Sequence, residues 1–115
     1  MAGVRSAIRH GDRLVTAHAA NEAVADHLFL DAIWASVIDQ SAGVVEDYPN
    51  DPRGPSCLIL SAINSRPIHT VVAYPAKRLA AQRQIPAVAV LITVYRPELR
   101  ASEWSSDFRT RLPQP

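Results

Sequence analysis

The sequence predicts an α+β domain in which two N-terminal helices pack on a four-stranded, mainly antiparallel sheet and a short C-terminal helix closes the chain. Three observations carry that expectation. Apolar residues recur at helical spacing through residues 17–40, and four β-branched runs separated by turn residues occupy residues 43–95. Trp104 and Phe108 then stand four residues apart, the spacing of one helix face. Helices followed by consecutive strands, without alternation, make an α+β arrangement. With 115 residues, 48% apolar and 20% charged, the chain is long enough to bury a core without staples.

Taken in order, residues 1–12 carry Arg5, Arg9 and His10 with few large apolar residues, and read as a loose arm or a frayed helix. Arg13-Leu14-Val15-Thr16 is a short run suited to an edge strand. Thr16 is placed to cap an alanine-rich helix over 17–28. Asp31 caps a second over 32–40, where Ile33, Trp34, Val37 and Ile38 form one apolar stripe. Ser41-Ala42-Gly43 stops it. Residues 44–48 are the first strand of the meander. Pro49, Pro52 and Pro55 have no amide to give a ladder, so 49–55 is a loop that presents Arg53.

Residues 56–63 and 68–74 are strands around Asn64-Ser65, a two-residue hairpin tip. Residues 75–84 (PAKRLAAQRQ) form a polar, helix-prone insert. Residues 86–95 are apolar at almost every position and read as a central strand covered on both faces. Pro97 ends that strand. The chain is one domain, 1–115, with its core at about 13–97; the 1–12 arm and the 109–115 tail are expected to be flexible.

A formal net charge of +1 gives no nucleic-acid footprint for the chain as a whole. The charges are segregated: residues 11–51 hold eight acids and one base, residues 52–115 nine bases and three acids. Cys57 is the single cysteine, set in an apolar run, so no internal disulfide forms and an inert buried thiol is expected. The charged first residues do not resemble a secretory leader, and no apolar run reaches bilayer length. A cytoplasmic protein with no membrane partner is the expectation.

Four short motifs occur in order: Thr16-x-His18-Ala19, EDYPNDPRGPSCLIL over 46–60, RPIH over 66–69 and ITVYRP over 92–97. Together they resemble the uncharacterised domain-of-unknown-function family numbered 4258, over roughly three-quarters of the chain. That family is similar in pattern to the RelE/ParE-like toxin fold, in which helices precede an antiparallel sheet that cradles the active surface. The resemblance implies that fold, a bacterial setting and an adjacent antitoxin. The activities it spans run from endoribonuclease through gyrase poison to inactive relative. Asn21, Glu22 and Asp26 stand on the first helix where the family is richer in arginine, and the 75–86 insert lengthens the last connection.

RNA cleavage without a metal needs a base for the 2′-hydroxyl, an acid for the leaving oxygen and a cation for the charged phosphorane. Histidine as a residue type can serve as acid or base near neutral pH, which makes His18 and His69 the pair to weigh. Arg53 and Arg96 suit a forked phosphate contact, and Tyr48 and Tyr95 can donate a proton or stack on a base. Each has a plain structural reading beside it. His18 can bond a carbonyl at its helix start, His69 can be a satisfied half-buried ring, and Arg53 can pair with Asp47 or Asp51. The histidines show no metal-ligand spacing, and 49–55 is no phosphate-cradling loop, so no metal and no cofactor are expected. Trp34 and Trp104 read as core anchors; an exposed Trp104 would mark a partner surface.

The leading expectation is a bacterial toxin-like protein with metal-independent endoribonuclease potential. His18, His69 and Tyr95 are its catalytic residues, Arg53 and Arg96 its phosphate-binding residues, and RNA and an antitoxin its partners. The alternative is a non-catalytic protein-binding module of the same fold, which the near-neutral charge favours. A third arrangement is a homodimer joined along an exposed apolar edge at 88–94. A dry, apolar sheet face with both histidines buried would support the binding module over the enzyme.

Overall fold

The computed structural model describes residues 1–52 and 54–114. Its first half runs α1 (Ala2–Arg9), β1 (Arg13–Val15), α2 (Ala17–Ala25), α3 (Leu30–Ile38) and β2 (Gly43–Tyr48). Its second runs β3 (Ser56–Ile63), β4 (Arg66–Ala73), α4 (Lys77–Gln82), β5 (Ala89–Tyr95) and a 3-10 segment (Pro97–Glu103). The strands form one sheet in the order β1-β5-β4-β3-β2. Neighbours from β2 to β5 are antiparallel, whereas β1 lies parallel to β5. The expected four-stranded antiparallel sheet is thus four strands of a mixed five-stranded one. A three-residue run carries no signal of its partner, because parallel pairing depends on a crossover through the rest of the chain.

Three further corrections concern the ends and the edge. Residues 1–12, read as a loose arm or a frayed helix, contain helix α1, which is docked rather than loose and buries Val4, Ala7 and Ile8. Gly3 permits the docking, because a Cβ there would stand 2.6 Å from the Tyr74 ring. The expected C-terminal helix is instead a 3-10 segment followed by a loop in which Trp104 bridges Arg111. Ser105 Oγ donates to Asp107 Oδ1 at 2.7 Å and accepts the Thr110 amide at 3.0 Å, turn bonds that compete with helix. Finally, residues 88–94 are no exposed edge: β5 lies between β1 and β4 and is almost wholly buried.

Helices α1, α2 and α3 cover one face of the sheet. Strand alternation sends Ile59 and Val72 to that face, and a register shift within the β4–β5 pairing brings both Leu91 and Val94 there, where they meet Ala19, Ala23, Ile33, Trp34 and Val37. Alanines on α2 let it lie close to β5. Thr16 caps α2 by accepting the Ala19 amide at 3.1 Å, and its hydroxyl donates to the Ile92 carbonyl at 3.2 Å. Beyond β1 the outer edge of β5 would be bare, and Glu22 of α2 accepts the Val94 amide there at 3.0 Å. Asn64 and Ser65 both take positive φ at the β3–β4 tip, as a primed two-residue turn requires. No helix is long and apolar enough to cross a membrane among the described residues.

Candidate functional site

The second face of the sheet carries the polar chemistry. Register aligns Leu60, His69 and Tyr95 in one row and Glu46, Leu58, Val71 and Thr93 in the next. Tyr48 and Ser56 follow in a third. Side chains in such rows share a face. At the far end of this face α4 covers an apolar patch of Ala73, Val88, Val90 and Ile92 through Ala80. Over the polar rows lie residues 97–112.

His69 is fully buried at the centre of the polar rows, at 0% exposure. Its Nε2 lies 2.9 Å from the Phe108 carbonyl, which can only accept, so Nε2 carries the proton. Nδ1 is then an acceptor, and the Tyr95 hydroxyl donates to it across 3.0 Å. The ring also meets Trp104 edge-on, with centroids 4.4 Å apart. Burial pushes the His69 pKa below its ordinary value, against the opposing pull of the Phe108 carbonyl. His69 is a neutral imidazole with both nitrogens engaged.

Around it stand two arginine contacts and a carboxylate. Arg111 forks onto Glu46, Nε to Oε2 at 3.2 Å and Nη2 to Oε1 at 3.0 Å. Glu46 also accepts the Tyr48 hydroxyl. The Arg111 hydrogen bonds hold the Glu46 carboxyl below the usual carboxylate range, and burial with the Glu46 bond pushes Tyr48 up to about 12. Arg111 lies over the Trp104 ring at 4.5 Å and Arg100 over the Tyr95 ring at 4.0 Å. Burial raises the Tyr95 pKa as well. As placed, His69, Tyr95, Tyr48 and Glu46 are each held in a neutral or paired form.

Of the candidates read from the sequence, the structure brings His69 and Tyr95 together with Tyr48 on the same face, and sets His18 and Arg96 apart from them. His69 and Tyr95 are bonded partners. His18 stands on α2, which packs on the opposite face, and its exposed ring pairs with Glu22 at 3.3 Å. Arg96 turns toward α2, where Nη2 donates to the Asp26 carbonyl at 3.4 Å. Arg53 lies outside the described residues. Burial raises the thiol pKa of Cys57, which packs against the helix-side core. Among the described residues no three His, Cys, Asp or Glu side chains stand together to hold a metal.

Sequence reasoning assigned neither Glu46 nor Arg111 a role in the site. Their partnership spans 65 residues, and only the strand register brings it about. The available signal was alternation: Glu46 and Tyr48, two apart on a strand, share a face.

Residues 15–96 match the family described as Domain of unknown function (DUF4258). No curated protein and no solved structure matches the chain.

Proposed function

The chain belongs to the family DUF4258, and we propose that it works there as a non-catalytic protein-binding module that grips a partner segment on the polar face of its sheet. The observation that carries this reading is the state of His69: buried, neutral, and bonded at both nitrogens. A general acid or base must reach the reacting atom, and this ring reaches none. The face instead holds a polypeptide segment through aromatic, guanidinium and carbonyl contacts, the vocabulary of protein recognition. We assign the module a RelE/ParE-like fold, supported by the helices that precede the antiparallel meander. An antitoxin-like protein in the bacterial cytoplasm is the partner this assignment suggests.

A photo-cross-linking residue at Ala62, exposed on the polar face, tests the reading against one at Asn21 on the helix side. In cells, a protein adduct from position 62 and none from 21 is expected. Adducts to RNA alone, or equal protein adducts at both positions, would overturn it.

A second reading keeps the endoribonuclease. It is favoured by the convergence of Glu46, Tyr48, His69, Tyr95, Arg100 and Arg111 on one face, the groups a metal-independent phosphoryl transfer uses. It requires residues 97–112 to lift away. RNA cleavage by the purified chain that is lost in His69→Ala would establish this reading and remove the first.

A further inference from the structure

We infer that residues 97–112 are a displaceable ligand held in cis, and that the face beneath them accepts in trans a protein segment of the same chemistry: an aromatic side chain and an arginine presented together across a turn. The inference rests on the binding-module reading and names its partner class and its regulation.

Four observations converge on it. The segment is organised by its own bonds. The Ser105 amide donates to the Thr110 carbonyl at 2.8 Å and the Leu112 amide to the Glu103 carbonyl at 2.8 Å, so Trp104 and Arg111 face each other. It meets the sheet through side chains and the Phe108 carbonyl; among the described residues no main-chain ladder joins the two. A unit built this way can leave without breaking the sheet. It also lies wholly beyond the region matched to the family, so the face belongs to the shared domain and its occupant does not.

The fit is incomplete. Trp104 is 2% exposed, and its Nε1 has no hydrogen-bond partner among the described residues. Phe108, whose carbonyl caps His69, is held at φ +61, a conformation bulky residues avoid. A competitor that satisfies its indole, or needs no strained residue, therefore has an advantage over the cis segment. A cleft of about 350 Å³ between Leu60, Ala62 and Pro67 on the sheet and Asp107–Arg109 on the segment gives it a place to enter.

The chemistry of the face decides what enters. Once Arg111 leaves, Glu46 stands as a carboxylate beside the Tyr48 hydroxyl, an acceptor pair that calls for a guanidinium and repels a phosphodiester. His69 offers its ring edge to an aromatic group and its Nε2 proton to a carbonyl. A protein loop supplies all three; a nucleic acid does not.

The test uses a fluorescent synthetic peptide of residues 97–112, titrated by anisotropy into the full chain and two full-chain variants. Arg111→Ala weakens the cis contact and is expected to bind the peptide about tenfold more tightly than the parent. Adding Glu46→Gln should abolish that gain. Equal binding by parent and Arg111→Ala, or tight binding that survives Glu46→Gln, overturns the inference, as does displacement of the peptide by single-stranded RNA. Amide exchange on the parent chain covers the case of a variant that does not fold. Residues 103–112 exchanging faster than 56–73 supports a displaceable segment, and exchange as one unit overturns it. A cellular adduct at position 62 without peptide binding sinks the cis-ligand idea alone. Peptide binding without any cellular adduct sinks the binding-module reading alone.

Discussion

On the helix side of the sheet, Ile59, Val72, Leu91 and Val94 meet three helices through aliphatic surface. On the other side, over the same strands, Glu46, Tyr48, His69 and Tyr95 meet one irregular segment through hydrogen bonds and arginine contacts. The aliphatic contact is non-directional and scales with buried area, so it is strong and forgiving of small shifts. The polar contact is directional, nets little per bond, and is costly to leave half-made. The helix face therefore carries most of what folds the domain, and the polar face holds residues 97–112 in place.

The largest expected effect breaks the helix side. Ile59→Ala removes a fully buried side chain between sheet and α3, and should lower global stability by about 3 kcal/mol in chemical denaturation. His69→Ala on the other face should cost about 2 kcal/mol, since it empties the space beneath Trp104 and orphans the Tyr95 hydroxyl and the Phe108 carbonyl. The sharper difference lies in where the damage appears. Amide exchange should rise throughout the sheet for Ile59→Ala and over residues 97–112 for His69→Ala. The same pattern in both variants would erase the distinction between the faces.

How far the two faces could be read from the sequence follows the same division. Thr16 signalled the start of α2 because capping is a local bond, and Asn64-Ser65 signalled the hairpin because positive φ is a local demand. The 33–38 stripe gave α3, with its start two residues earlier than Asp31 suggested. Trp104 read as a core anchor and is buried. The parallel partner of β1 and the Arg111–Glu46 fork were beyond reach, because each joins residues more than 60 apart. His18 and His69 looked alike in sequence; topology alone puts a helix-borne ring in solvent and a strand-borne ring under the C-terminal segment.

Acid offers a middle-sized test. His69 has a depressed pKa when folded, so the unfolded chain binds its proton more readily. Its contribution is complete above the unfolded value near 6.5 and is lost as pH falls below it. Glu46 is also depressed, and its contribution persists until pH drops below about 4.5. Arg111, which faces Glu46, stays charged throughout this range, its pKa raised further by the Glu46 hydrogen bonds. Residues 97–112 should therefore loosen in two steps on acidification while the helix side, which uses no titrating group among its buried residues, holds. Trp104 emission read beside far-ultraviolet circular dichroism checks this. Coincident transitions by both probes would contradict it.

The smallest effect on global stability, and the most discriminating, is expected from Arg111→Ala. The Arg111 and Glu46 side chains are 48% and 24% exposed, so water screens the pair, and fork geometry raises it only to the upper part of the usual range, about 0.2–1 kcal/mol. Trp104 loses its guanidinium cover as well, a contact of similar size at a partly exposed site. A change this small should leave the denaturation midpoint nearly where it was. It should still increase local opening of residues 97–112 several-fold, because that segment has few other attachments and a kilocalorie is a large share of what holds it. If Arg111→Ala instead lowers the global midpoint as far as Ile59→Ala does, the segment is part of the cooperative core. The polar face would then be a second core rather than a held ligand.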